Sequence, residues 1–262
     1  MRTKQRGLGL IVLLLLCIYA VWLNQRSKTV REQHVATVSP IDEMLRVPAS
    51  IARQEGTAAA ILIDTSGSMK DPVPDADGQS KPKIDIARRA AGDLVRRFGE
   101  FSQKHPDRPL LMGIYEFSAR DDEPACRPVI KLGPPRVEEA QAVLDKMFPS
   151  GGTPIGDAMI LAKRDLDLTG MTHRHILVVT DGENNRGYSP GAVASFLATQ
   201  AAEARASIYF IAFDIEAAKF NAVKESGGLV LAAANERDLN QTLDFILTGK
   251  ILAEQPASAV SK

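Results

Sequence analysis

Cysteine is nearly absent from this 262-residue chain, which holds only Cys17 and Cys126. Two cysteines cannot build a disulfide framework, and Cys17 lies in an apolar run, so cysteine usage assigns no redox compartment. Aromatic residues are few and net charge is zero, with 32 Lys and Arg against 32 Asp and Glu. The zero conceals an asymmetry. Arg2, Lys4, Arg6, Arg26, Lys28 and Arg31 all precede the first acid, Glu32, which leaves 26 basic against 32 acidic residues and a formal balance of −6. An acidic body argues against nucleic acid as a partner, because phosphate binding needs clustered Lys and Arg. No internal repeat is visible. Apolar content is ordinary for a folded chain, and the length suits one large domain or two small ones.

One long hydrophobic run stands out. Residues 7–23 carry no charge, and as a helix at ~1.5 Å per residue they span about 25 Å, at the short end for a bilayer core of about 30 Å. Tyr19 and Trp22 sit where an interfacial aromatic belt is expected. A cleaved signal peptide shares the basic start and apolar middle, but Ala20 at −1 would put Ile18 at −3, where a small residue is needed. Leu16 before Cys17 argues against a lipoprotein signal. The expectation is therefore a single-pass membrane anchor with a basic tail at 1–6 on the cytoplasmic side. The body then lies on the outer, periplasmic or extracellular, side. Residues 24–55 read as a tether, with room for a small helix near 41–46, and residues 251–262 as a flexible tail.

Between them, residues 56–250 alternate short apolar runs with amphipathic stretches. Strands are expected at 58–63, 110–117, 176–180, 208–213 and 229–231, with an edge strand at 128–132. Helices are expected at 84–98, 137–147, 155–166, 191–204, 216–225 and 237–247. Alternating strands and helices imply an α/β domain, with a mostly parallel central sheet flanked by helices. Runs such as Ile176-Leu177-Val178-Val179 fit strands buried on both faces.

In such a fold, functional groups collect at the carboxyl ends of the strands, where Asp64 and Asp181 both fall. Several chemistries are missing there. Ser150-Gly151-Gly152-Thr153-Pro154-Ile155-Gly156 lacks the lysine of a phosphate loop. Thr65-Ser66-Gly67-Ser68-Met69 is not a nucleophile elbow, and no histidine is spaced to serve a serine as base. The His173/His175 pair reads as a solvated strand start rather than a metal site. An oxygen-only set remains: Asp64, Ser66, Ser68, the Thr153 loop and Asp181. Hard divalent cations take such carboxylate and hydroxyl oxygens, and two aspartates match a +2 charge. The competing reading has Asp64 and the serines capping a helix, with Asp181-Gly182 a plain turn.

Asp64-Thr65-Ser66-Gly67-Ser68-Met69, Gly151-Gly152-Thr153-Pro154 and Thr180-Asp181-Gly182-Glu183-Asn184-Asn185, in that order, closely resemble the von Willebrand factor type A (vWA) domain. The resemblance covers about residues 56–250. It implies a Rossmann-like doubly wound sheet and a complete metal-ion-dependent adhesion site. Ser66, Ser68 and Thr153 would bind the ion directly, and Asp64 and Asp181 mainly through waters and hydrogen bonds. The implied cofactor is Mg²⁺ or Mn²⁺, ahead of Ca²⁺, with an acidic side chain of a protein partner completing the shell. Function is then expected to be binding rather than catalysis. The alternative is an adaptor subunit of a larger complex, with a separate AAA+ ATPase as its partner. The proline-rich acidic segment 71–82 reads as a solvated insertion beside the site, and Asp121, Asp122 and Glu123 as a second acidic group of the same kind. The sequence specifies no oligomeric state.

Overall fold

The runs Ala58–Ile63 and Ile176–Val179 have no polar side to offer water, and a computed structural model places them side by side at the centre of a six-stranded sheet. It describes residues 40–48 and 50–254. The expected anchor at 7–23 and the basic tail at 1–6 lie outside that range. Among the described residues no helix is long and apolar enough to cross a membrane. The chain divides into two units, 1–43 and 44–262, and a short helix α1 (Pro40–Met44) lies at their boundary.

In the second unit the elements run β1 (Gln54–Asp64), β2 (Pro72–Pro74), β3 (Ser80–Pro82), α2 (Lys83–Lys104), β4 (Leu110–Phe117), β5 (Cys126–Gly133), α3 (Val137–Leu144) and α4 (Ile155–Leu168). They continue through β6 (Met171–Thr180), α5 (Pro190–Thr199), β7 (Ser207–Phe213), α6 (Asn221–Glu225), β8 (Leu229–Ala233) and α7 (Glu236–Ile246). The sheet order is β5-β4-β1-β6-β7-β8. All neighbours are parallel except the edge pair β4–β5. Pro128 sits in that edge strand, where a missing N–H costs no central ladder bond.

Alternate strand residues go to opposite faces. Ala59, Ile61, Ile63, Leu177, Val179, Ile211 and Phe213 join a core with Leu94, Val95 and Phe98 of α2, Leu144 of α3, and Leu239 and Leu243 of α7. The intervening Ala58, Ala60, Leu62, Ile176, Val178 and Phe210 are also fully buried, beneath α4, α5 and α6. Phe210 packs on Phe220 with ring centroids 5.2 Å apart. Burial on both faces is what the uninterrupted apolar runs require.

This order creates a switch point. From β1 the chain moves out to β4 and β5, then returns to β6 on the other side of β1. Connections leaving the carboxyl ends of β1 and β6 therefore diverge, opening a crevice between the two strand ends. Asp64 is the last residue of β1, and Asp181 follows the last residue of β6.

Several local expectations change. The helix expected over 191–204 stops at Thr199, because Gln200 takes an extended backbone. Its start is set by Pro190 in the first turn and by Ser189 Oγ, which accepts from Ala192 N at 3.1 Å. The His173/His175 pair is not a solvated strand start. His175 is fully buried, and one Glu254 carboxylate oxygen lies 2.7 Å from His173 Nδ1 and 3.2 Å from His175 Nε2. Packing thus extends past the expected tail boundary, and Ile251 is buried too.

Cys126 opens the edge strand and is buried, which pushes its thiol up to about 12. The thiolate is the reactive form, so very little of it exists at pH 8. Iodoacetamide at pH 8 is expected to leave Cys126 unmodified in the native protein and to modify it in denaturant, read by peptide mass spectrometry. Rapid native labelling would show that β5 detaches from β4.

Candidate metal centre

Asp64 ends a strand with no solvent exposure, so its carboxylate must find donors inside the protein. It finds two. Ser66 N–H donates to Oδ1 at 2.7 Å, and the Thr180 hydroxyl donates to Oδ2 at 2.5 Å. The first bond turns the chain sharply after β1. The second joins the ends of β1 and β6. Ser66 precedes a 3-10 turn, Gly67–Lys70, and makes no side-chain capping bond, so the serines do not act as helix caps.

The turn brings Ser66 Oγ and Ser68 Oγ to 3.2 Å from each other. Ser68 donates to Asp181 Oδ1 at 2.8 Å, so the contact between the two serines is donated by Ser66, and one Ser68 lone pair is left to face a cation. The loop at 150–153 is laced through backbone to the turn after β1, the first arm of the site. Gly67 N–H donates to Gly151 O at 3.0 Å, and Ser150 N–H donates to Thr65 O at 2.8 Å. Gly151 adopts φ +78°, and a Cβ there would sit 2.0 Å from Ala119 O, so only glycine fits. Thr153 is held by Asn185, whose Oδ1 accepts from Thr153 N at 2.8 Å. Asn184 Oδ1 accepts from Ile155 N, also at 2.8 Å, at the start of α4.

All five sequence-derived residues gather at this one point. A Cβ added to Gly182 would lie 3.3 Å from Thr153 Oγ1 and 3.6 Å from Ser68 Oγ. A bare α-carbon thus lets hydroxyls of two arms converge. The oxygen set is two carboxylates and three neutral hydroxyls; no group of three His, Cys, Asp or Glu side chains placed to hold a metal occurs among the described residues, here or elsewhere. Burial pushes the Asp64 carboxyl up to about 7, against the bonds from Thr180 and Ser66 and with help from the charge of Asp181. Asp181 is raised as well, again by burial, with Ser68 and Lys83 opposing. Two buried carboxyls held above their ordinary range are groups that a nearby dication would stabilise in the charged form. The residues present therefore fit a hard divalent ion.

Sequence reasoning missed Lys83. Its Nζ lies 3.1 Å from Asp181 Oδ2 and 2.8 Å from Asp214 Oδ2. A signal was present, since Lys83 opens α2, and a cation at a helix amino terminus opposes the dipole and needs acidic partners. The roles of Asn184 and Asn185 were missed as well, although both lie in the third motif.

Segment 71–82 is largely exposed, as a solvated insertion should be, but it is ordered. It forms the β2–β3 hairpin, with Val73 buried. Asp75 Oδ1 closes its tip by accepting from Asp77 N and Gln79 N. The tip docks on α7: Ala76 N–H donates to Glu236 Oε2 at 2.9 Å, and Arg237 donates to Ala76 O. Glu123 is engaged by Arg120 and Arg127. Arg120 also donates to Phe148 O at 2.7 Å and stacks over the ring of Phe148, a residue 53% exposed just before the 150–153 loop.

A raised Asp64 pKa means that the folded state holds a proton the unfolded state has released. Its stabilising effect is complete below the ordinary value of 3.8 and is lost as pH rises to about 7. In EDTA, the unfolding free energy is expected to fall across that window, and to fall less in Asp64→Asn. Denaturant titrations at stepped pH read both slopes.

No family model matches the chain, and no curated protein matches it. Solved structures do. The PilB minor pilin from Streptococcus sanguinis aligns at TM-score 0.57 and 15% identity, covering 79% of this chain and 63% of the pilin. The match thus spans under two thirds of the pilin's length. A von Willebrand factor type A structure from Catenulispora acidiphila aligns at 0.55 and 16% identity, covering 77% of this chain and 44% of that one. The conserved hypothetical protein BatB from Bacteroides thetaiotaomicron aligns at 0.53 and 18% identity, covering 73% and 99%. At these identities the likeness establishes architecture: the chain has the vWA-type α/β fold, a mixed, mostly parallel sheet flanked by helices.

Proposed function

We propose that this chain is a protein-binding module that holds Mg²⁺ or Mn²⁺ at Asp64, Ser66, Ser68, Thr153 and Asp181, and engages an acidic side chain of a protein partner there. The observation that carries this reading is the convergence of three separate loops on one cluster of oxygens at the carboxyl edge of the sheet. Ser66, Ser68 and Thr153 offer neutral hydroxyl oxygens. Asp181 orients the Ser68 hydroxyl by taking its proton, and Asp64 holds the first arm in its turn. When bound, the ion supplies an electrophilic position that a carboxylate from outside can fill. The pilin and the pilus adhesin SpaC from Lactobacillus rhamnosus GG among the structural likenesses (15% identical, TM-score 0.56 for SpaC) are in keeping with a binding role. So is the exposed Phe148 stacked on Arg120 just before the 150–153 loop, since aromatic and Arg residues are enriched at binding interfaces.

The proposal is one of binding rather than catalysis: the Ser68 hydroxyl that donates to Asp181 is read as a ligand to the ion, not as a nucleophile. The apolar run at 7–23 would tether the module to a membrane, with the body on the outer side. Gln54 brings the chain into the sheet at the strand end opposite Asp64, so the candidate site points away from where β1 begins.

The body, residues 32–262, is the bait for a pull-down from solubilised membranes and envelope extract. A specific partner is expected in Mg²⁺, with capture falling at least about tenfold in EDTA, in Asp181→Ala and in Thr153→Ala, as loss of one charge-assisted anchor implies. Circular dichroism checks that each variant stays folded. Equal capture in every condition would overturn the metal bridge and favour the adaptor reading, with the binding face elsewhere.

A further inference from the structure

Lys83 is an unusual neighbour for a cation site. Its side chain is 6% exposed, and it stands at the positive end of the α2 dipole, where an ammonium is disfavoured. Two carboxylates hold it, and they differ. The Asp181 side chain is fully buried, whereas the Asp214 side chain is 44% exposed. Asp214 can be solvated without a counterion, but Asp181 cannot.

Asp214 adopts φ +55° directly after β7, a left-handed conformation rare outside glycine. Its N–H donates to Ala233 O at 2.7 Å. The lysine reaches the candidate centre from outside its three motifs, and its four-carbon stem lets Nζ shift between the two carboxylates without moving the helix.

We propose that Lys83 is a built-in competitor for the divalent ion, with Asp214 as its holding residue, so that the pair sets the metal affinity of the centre. The proposal rests on the metal reading above. Ammonium and ion draw on the same carboxylate, Asp181, and repel each other. An ion is accommodated as Lys83 leans to Asp214. With Lys83 neutralised, Asp181 has no resident counterion and takes the ion more tightly. With Asp214 neutralised, Lys83 has only Asp181 and releases it less readily.

The two neutralisations thus act in opposite directions, which a merely structural salt bridge would not do. Mn²⁺ binding is measured on the full chain in detergent, by the loss of the free-ion electron paramagnetic resonance signal, with Mg²⁺ as competitor. Lys83→Met and Lys83→Gln are expected to tighten Mn²⁺ binding about tenfold or more, given the strength of a unit charge at this range. Lys83→Arg keeps the charge and is expected to bind as wild type does. Asp214→Asn is expected to bind several-fold more weakly. Thermal melts followed by circular dichroism identify any variant that fails to fold, and the two neutral variants back each other.

If wild type binds and neutralising Lys83 leaves the affinity unchanged or weaker, this inference is overturned while the metal reading stands. Tighter binding in Asp214→Asn would likewise overturn the holding role. If only the Lys83-neutral variants bind, the inference holds in its strongest form. If no variant and no wild-type protein binds Mn²⁺, this inference and the metal reading are both refuted.

Discussion

The bond from the Thr180 hydroxyl to the Asp64 carboxylate ties together the carboxyl ends of the two central strands, and the remaining site geometry is built outward from it. Asp64 has no solvent exposure. A carboxylate there is tolerated only because Thr180 and the Ser66 amide occupy its two oxygens. Those same bonds set the direction of the chain leaving β1. The direction in turn places Ser66 and Ser68 against Asp181, which leaves β6 on the other side of the switch point. The parallel register of β1 and β6, Ile63 opposite Val179, is what puts Asp64 and Thr180 at the same level. A one-residue slip would move every alternating side chain to the wrong face.

Charge imposes the second constraint. Asp64 and Asp181 raise each other's cost of ionisation in a low-dielectric crevice, and the hydroxyls around them bring dipoles but no net charge. Lys83 supplies one positive charge from the start of α2 and is shared with Asp214 at the end of β7. Burial works against its ammonium, but the bonds and charges of Asp214 and Asp181 outweigh that and hold its pKa above the ordinary value. The β2–β3 hairpin ties the first arm to α7 through Ala76, Glu236 and Arg89, whose guanidinium grips Glu236 with two nitrogens. First motif, sheet and last helix are thereby mechanically continuous.

Much of this was legible from residue order. Continuous apolar runs announced strands buried on both faces, because such runs have no polar side for water, and β4 was read at its observed bounds. The five oxygen-bearing residues were legible because strand-terminal polar groups in an α/β sheet have one place to go. The hairpin at 72–82 was hidden, since its two strands are three residues each and rich in proline. The burial of His175 was hidden as well. His175 sits between β1 and β7, opposite Ala59 and Ser207, and its ring meets Glu254, 79 positions further along the chain by numbering; no local pattern encodes so distant a partner.

By itself, the sequence determined the alternation of strands and helices, the acidic character of the body and the identity of the five oxygen-bearing residues that gather at the strand ends. These depend on periodicity and on side-chain chemistry, which are local properties. Tertiary structure alone decided that Lys83 and Asp214 join the site, that Asn184 and Asn185 brace the Thr153 loop, and that the acidic hairpin docks on α7. Each of those contacts links residues at least thirty positions apart, apart from the Asn184–Ile155 bond at 29. Such contacts exist only because the sheet order returns the chain from β5 to the far side of β1, and strand order is set by how the whole core packs rather than by any single segment.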